Sequence, residues 1–279
     1  MVGYGNQGRS WALNLRDSGH PPLVCVRNDA TRERAIEDGF DVHDIGEANH
    51  ADVICVLVPD DVVPLLGLQP GAGSCVVVAS GYTLAFGRLV PPGDAGLVAP
   101  RMLGPEVRRC YQEDVGFITA VGVHQDMSGR ALERILGVAR AIGGLKQGAI
   151  ELTARQEAML DLGVEQLLSP AMTAVNSAFV RTMQEHGIPI EAIVTELVLS
   201  GEVERTYRLL REVGYAAQAE ALADDIESGR FADEWDAERD SGYSTLNTLK
   251  EQHTGPAVRQ FEAELRQRLG VGAANRPSS

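Results

Sequence analysis

The chain has 279 residues, enough for one large domain or two ordinary ones, and at 44% hydrophobic it can bury a full core. Its net charge of -14 excludes a nucleic-acid binder, which needs a basic surface, and disfavours docking on anionic membranes. The longest apolar runs, such as 51–59, are strand-sized and too short to span a bilayer, and no signal peptide precedes the first glycine loop, so a cytoplasmic protein is expected.

The chain opens on Gly3-Tyr4-Gly5-Asn6-Gln7-Gly8, which fits G-x-G-x-x-G, and residues 7–18 behind it carry helical periodicity. Gly3 allows a tight turn, Gly5 lets a pyrophosphate approach the backbone, and Gly8 lets helix and strand pack closely. A plain glycine turn fits the same letters, but here the loop opens a βαβ unit, so dinucleotide binding is the stronger reading. Only Met1 and Val2 precede it, where a buried central strand of ~5 residues is normal. Either the true start lies upstream, or the sheet lacks part of its middle strand and loses burial beside the cofactor.

Residues 22–26 read as the next strand, and its end runs Val26-Arg27-Asn28-Asp29-Ala30-Thr31-Arg32. An NAD enzyme usually places Asp or Glu at this tip to accept the ribose hydroxyls. Arg27, Thr31 and Arg32 instead suit a 2′-phosphate, so NADPH is expected over NADH. Asp29 points the other way, and two merely solvated arginines are the alternative.

A helix is expected over 30–38, strands over 52–58, 75–79, 96–99, 116–123 and 148–152, and a helix over 128–142. The strands are nearly continuous apolar runs, as in an α/β, doubly wound, mostly parallel sheet covered on both faces. Cys25, Cys55 and Cys75 sit in these runs. With Cys110 they show no metal-ligand spacing and read as reduced, buried thiols. Beyond Leu152 strand signals nearly vanish. Helices are expected over 153–186, 189–213, 216–228 and 256–269, and the tail 270–279 is small and polar. The chain thus divides into a Rossmann domain, 1–152, and an all-α domain, 153–279. Glu157, Asp161 and Glu165 recur every four residues, which puts them on one face of a helix. An ordinary acidic surface and a divalent-cation site both fit that spacing.

Several segments together resemble the ketol-acid reductoisomerase (acetohydroxyacid isomeroreductase) family. They are the glycine loop with Ala12-Leu13-Asn14-Leu15-Arg16-Asp17-Ser18-Gly19, Val56-Leu57-Val58-Pro59-Asp60, Val98-Ala99-Pro100, His124-Gln125-Asp126 with Ser128-Gly129, Ala141-Ile142-Gly143-Gly144 and Gly148-Ala149-Ile150-Glu151-Leu152-Thr153. The likeness crosses into the helical part at Asp161-Leu162 and Glu165-Gln166, and covers nearly all of the first ~200 residues. It implies a Rossmann domain, a knotted helical domain, a homodimer with shared sites, and NADPH with two magnesium ions serving isomerisation and then reduction of acetohydroxyacids in branched-chain amino-acid biosynthesis. It adds Pro59 and Asp60 to the cofactor side. It places Asp161 and Glu165 on the family's metal carboxylates, and Glu196 on a third.

The same resemblance exposes departures. The family's fourth carboxylate position is Ser200, and Glu204 one turn on reads as a surface charge or a substitute. Ser80-Gly81-Tyr82 stands where the family has His-Gly-Phe, so its catalytic histidine is Ser80; its lysine is Arg101 and a second histidine is Pro105. The expectation is therefore an NADPH-dependent oxidoreductase that reduces a small oxo acid or imine, with isomerisation impaired. Ser80 or Tyr82 would donate a proton, and Arg101 would grip a carboxylate. The alternatives are an authentic ketol-acid reductoisomerase with a remodelled site, and a non-catalytic NADPH-binding homologue.

Overall fold

A computed structural model of the chain describes residues 1–201 and 228–244. It divides into two compact units, Met1–Leu162 and Gly163–Ser279. The first unit carries strands β1 (Val24–Cys25), β2 (Val42–His43), β3 (Val53–Val56), β4 (Cys75–Val78), β5 (Asp94–Pro100), β6 (Thr119–Gln125) and β7 (Ala149–Glu151). Its helices are α1 (Asn6–Asp17), α2 (Ala30–Glu37), α3 (Tyr82–Ala85), α4 (Gly104–Gln112), α5 (Ala131–Ala141) and α6 (Ala154–Leu162).

β3 to β7 form a sheet in sequential order, and β1 pairs with β2 beside it. Met1–Gly3 joins the two parts. Val2 bridges Cys25 on one side and Val56 on the other, both in parallel. Its N–H donates to Cys55 O at 2.7 Å and its carbonyl accepts from Leu57 N at 2.8 Å, while Cys25 N donates to Met1 O at 2.7 Å. The middle slot is therefore held by three residues, and Val2 in it is 0% exposed. The stub is hydrogen-bonded on both edges.

Alternate residues of the strands feed two cores. Cys55, Cys75, Val77 and Val98 pack with Trp11, Val107 and Ile135 on one face; Ile54, Val56, Val76, Val78 and Leu97 pack with Ala48, Leu84 and Ala154 on the other. Apolar residues at every strand position follow from this double cover. All pairs are parallel except β5 with β6, which is antiparallel. α4 explains the reversal. It packs on α1 instead of crossing back along the sheet, so the chain re-enters beside the point where β5 ended, with Arg101 N donating to Ile118 O at 3.1 Å. Neither α4 nor β2 was expected from the pattern.

The second unit begins with a π-helical turn, Gly163–Leu168, and continues in α7 (Ser169–Glu185), α8 (Ile190–Val194), a second π turn Thr195–Leu199, and α9 (Arg230–Asp240). The helices expected over 216–228 (Ser228 apart) and 256–269 lie outside the described residues, as do Glu204 and the knotted path that the resemblance implies. No helix among the described residues is long and apolar enough to cross a membrane.

Candidate active site

The glycine loop follows the central stub. Gly3 has φ +95°, and a Cβ there would lie 2.5 Å from Leu57 O. A Cβ on Gly8 would lie 2.5 Å from Gly3 O. Both contacts are with backbone, which cannot yield as a flexible side chain can, so α1 reaches the turn only because these positions lack side chains. Gly5 differs, since a Cβ on it would meet nothing within 4 Å. It caps α1 with no side-chain partner, and the first turn carries no acidic residue. The helix start thus has open space beside Gly5 and the polarity an anion requires.

A cleft runs from that loop towards β1 and β3, lined by Gly3, Tyr4, Gly5, Arg27, Asp29, Thr31 and Pro59 among others. Arg27 is the exposed cation of this end, its side chain 75% accessible and 3.7 Å from Asp29. Asp29 caps α2 by accepting from Thr31 N at 2.9 Å, a bond that holds its carboxyl below the usual range. Other expected cofactor residues also make contacts within the chain. Tyr4 lies buried, and its hydroxyl donates to Asp38 at 2.9 Å. Burial, reinforced by that bond, pushes its pKa upward. Gln7 donates to Met102 O at 3.0 Å and accepts from Trp11 Nε1 at 3.2 Å. Arg32 is drawn to Asp44 at 2.9 Å and to Val42 O at 3.3 Å. Asn6 and Gly8 lie in the first turn of α1.

Asp60, Ser80 and Arg101 follow β3, β4 and β5, three parallel neighbours, and so gather at the carboxyl edge of the sheet where ligands of open α/β sheets bind. Ser80 Oγ donates to Asp60 Oδ2 at 3.0 Å and accepts from Tyr82 N at 3.3 Å. Burial, with Glu157, Asp161 and Asp61 adding negative charge, pushes Asp60 up to about 7 against the pull of the Ser80 hydroxyl. Tyr82 is buried, its ring tilted on Phe86 with centroids 5.1 Å apart.

α6 brings the carboxylates. Glu157 is 1% exposed; its Oε2 accepts from Gly81 N at 2.6 Å and its Oε1 receives Arg101 Nη1 at 2.7 Å. Burial pushes its pKa up, while Gly81 N–H and Arg101 oppose the rise. Arg101 Nη2 reaches Asp161 Oδ1 at 3.3 Å. The carboxylates that Arg101 grips are thus its own chain's. Gly81 is obligatory, because a Cβ there would lie 2.1 Å from Ala154 O. Glu157 and Gly81 are the partners the sequence reading left out of the site. The only hint was the i, i+4 series that begins with Glu157.

The described residues do not by themselves form a divalent metal site. Among the described residues no group of three His, Cys, Asp or Glu side chains could hold an ion. The α-helical spacing that joins Glu157 and Asp161 ends at Gly163, where the winding becomes π, and Glu165 is exposed there. Glu196 is exposed too, and Ser200, at the position of a lost carboxylate, turns its hydroxyl onto Glu196 O at 2.5 Å.

Residues 1–148 match the family model for the NADPH-binding domain of acetohydroxy acid isomeroreductase. A ketol-acid reductoisomerase (NADP(+)) of Methanocaldococcus jannaschii is 33% identical, the alignment covering 97% of this chain and 93% of that protein. Another, of Caldivirga maquilingensis, is 36% identical over 89% of this chain and 86% of its own length. A solved NADH-preferring ketol-acid reductoisomerase from an uncultured archaeon superposes with a TM-score of 0.85 at 28% identity, covering 98% of this chain and 93% of that one. A semialdehyde dehydrogenase NAD-binding protein from Cupriavidus necator, 21% identical with a TM-score of 0.63 over 82% of this chain and 88% of that one, shares the fold alone.

Proposed function

The chain belongs to the ketol-acid reductoisomerase (acetohydroxy acid isomeroreductase) family, and from that premise we propose that it is an NADPH-dependent reductase of a small oxo acid of the acetohydroxyacid type. One observation carries the reading: the turn that admits only glycine at Gly3 and Gly8, with open backbone at Gly5 and an exposed Arg27 at the far end of the same cleft. The α1 amides would hold the pyrophosphate, and Arg27 with Thr31 the 2′-phosphate. NADPH, when bound, supplies the hydride. The substrate carbonyl carbon gains that hydride with its electron pair, the C=O π pair moves to oxygen, and the oxygen takes one proton. Ser80 and Asp60, linked at 3.0 Å, form a short path along which that proton can move to the strand edge.

The second reading is the family's complete reaction, isomerisation before reduction. The comparisons favour it over reduction alone, since the named relatives are ketol-acid reductoisomerases along nearly their whole length. The replacements at Ser80 and Ser200, where the resemblance puts a histidine and a carboxylate, favour reduction alone. NADPH oxidation by folded protein decides. Turnover of acetolactate that requires Mg²⁺ supports the complete reaction; turnover of oxo acids that need no rearrangement, indifferent to Mg²⁺, supports reduction. Binding of NADPH with neither turnover would leave the non-catalytic homologue. A homodimer is part of the proposal: α7 buries none of its residues and leaves Val175 68% exposed. Light scattering on the purified protein checks it.

A further inference from the structure

We infer that the corner Asp38-Gly39-Phe40 at the end of α2 clasps Tyr4 and holds the glycine loop in its binding conformation, with Asp38 the positioning residue for the nucleotide pyrophosphate. The inference rests on the reading that this loop takes NADPH. It assigns to nucleotide binding a residue that does not line the cleft and acts through one that does.

α2 closes on a left-handed glycine. Gly39 has φ +85°; its N–H donates to Ile36 O at 2.9 Å, and Phe40 N–H donates to Ala35 O at 3.0 Å. That pair of bonds ends a helix and turns the chain back. The residues on either side of Gly39 then reach α1 and its loop. Asp38 Oδ2 accepts from the Tyr4 hydroxyl at 2.9 Å and from Arg9 Nε at 2.7 Å, and Oδ1 accepts from Arg9 Nη2 at 2.9 Å. Asp38 O accepts from Arg16 Nη1 at 2.7 Å. Phe40 meets the Tyr4 ring edge-on with centroids 5.7 Å apart, and the Arg16 guanidinium lies 5.1 Å from the Phe40 centroid. One corner thus grips the ring and the hydroxyl of the same loop tyrosine.

Tyr4 stands between Gly3 and Gly5. A segment with glycine on both sides of one residue loses more entropy than most on ordering. Fixing Tyr4 in advance removes that cost from the binding step. Asp38 is itself an anion beside a loop that must receive another. Arg9, in the first turn of α1, answers it with a two-pronged bond. That bond, with the one from Tyr4, holds the Asp38 carboxyl below the usual range, so the pair is ionised at neutral pH and brings no net repulsion to the loop. Because Arg27 and Thr31 lie at the other end of the cleft, the clasp acts on the part of the nucleotide that NADPH and NADH share.

Fluorescence titration of the full-length protein with NADPH and with NADH tests it. Asp38→Ala should raise both dissociation constants by about tenfold, the low end for a charge-assisted bond. Tyr4→Phe keeps the ring on Phe40 and drops the hydroxyl, and should raise both by about threefold, the scale of one hydrogen bond. The double variant should bind no more weakly than Asp38→Ala, because both changes break one link. A corner that served stability alone would lower the melting temperature and leave both constants of the folded protein within about twofold of wild type, which would overturn the inference. A loss confined to NADPH would overturn it too, since it would place Asp38 with the 2′-phosphate. If Asp38→Ala folds poorly by circular dichroism, Tyr4→Phe decides on the same criteria. Wild type that bound neither nucleotide would overturn the cofactor reading and this inference with it, whereas wild-type binding with unmoved variants would overturn this inference alone.

Discussion

Replacing Asp60 by Asn is expected to make the protein more stable and less active, with the gain growing as pH rises. Asp60 titrates near 7 in the folded chain against an ordinary 3.8, mainly because it is buried and because Glu157 and Asp161 stand close. Its folded pKa lies above its unfolded one, so the unfolded state gives up the proton first. Between about pH 4 and 7 stability therefore falls as pH rises, and above 7 the full penalty is present. The gap of about three pH units corresponds to at most about 4 kcal/mol at 1.36 kcal/mol per unit. Asp60 is only half-buried, so solvent screening reduces that to on the order of 1–2 kcal/mol. Asparagine keeps an oxygen for the Ser80 hydroxyl, which holds the geometry while removing the charge. Urea denaturation of wild type and Asp60→Asn at pH 5 and pH 8 measures it. Part of that penalty is already present at pH 5, so the variant should gain on the order of 0.5–1 kcal/mol more at pH 8 than at pH 5, and NADPH turnover should fall. Equal differences at the two pH values would refute the argument.

Gly8→Ala should weaken NADPH binding at least tenfold in a fluorescence titration and lower the melting temperature, since its methyl would sit 2.5 Å from Gly3 O. Arg27→Ala should weaken NADPH by about tenfold, the low end for an exposed charge-assisted contact, and leave NADH within about twofold; equal losses for both would remove Arg27 from the 2′-phosphate. All four cysteines are free and buried, and burial, with Asp94 nearby, pushes Cys75 up to about 12. A thiol reagent should find none reactive in native protein at pH 8 and four after unfolding.

The parts legible in the sequence were those whose physics is local. Cys75–Val78 reads as a strand because both faces of β4 are covered and every residue must be apolar. The glycine loop is legible because its spacing is set by backbone contacts of a few ångströms. At the central slot Val2 bridges a strand on each side and is fully buried, which the length of the segment does not reveal. α4 was hidden because Gly104-Pro105 at its start reads as loop, although Val107 and Cys110 then turn inward three apart. Arg101 pairing with Glu157 spans 56 residues and depends on where α6 lies, which no periodicity encodes.

The edge where these residues meet carries more negative charge than it resolves. Asp60, Glu157 and Asp161 interact there, and Arg101 is bound to two of them. Burial, with this excess charge added, pushes Asp60 up to about 7, which favours its protonated form. An oxo acid brings a further negative charge to the same edge, so it should enter more easily while Asp60 is protonated. The proton that lowers the local charge for binding is then the one nearest the Ser80 hydroxyl when the carbonyl oxygen needs it. A half-buried carboxylate that weakens the fold is thus explicable as a device that couples substrate entry to proton supply.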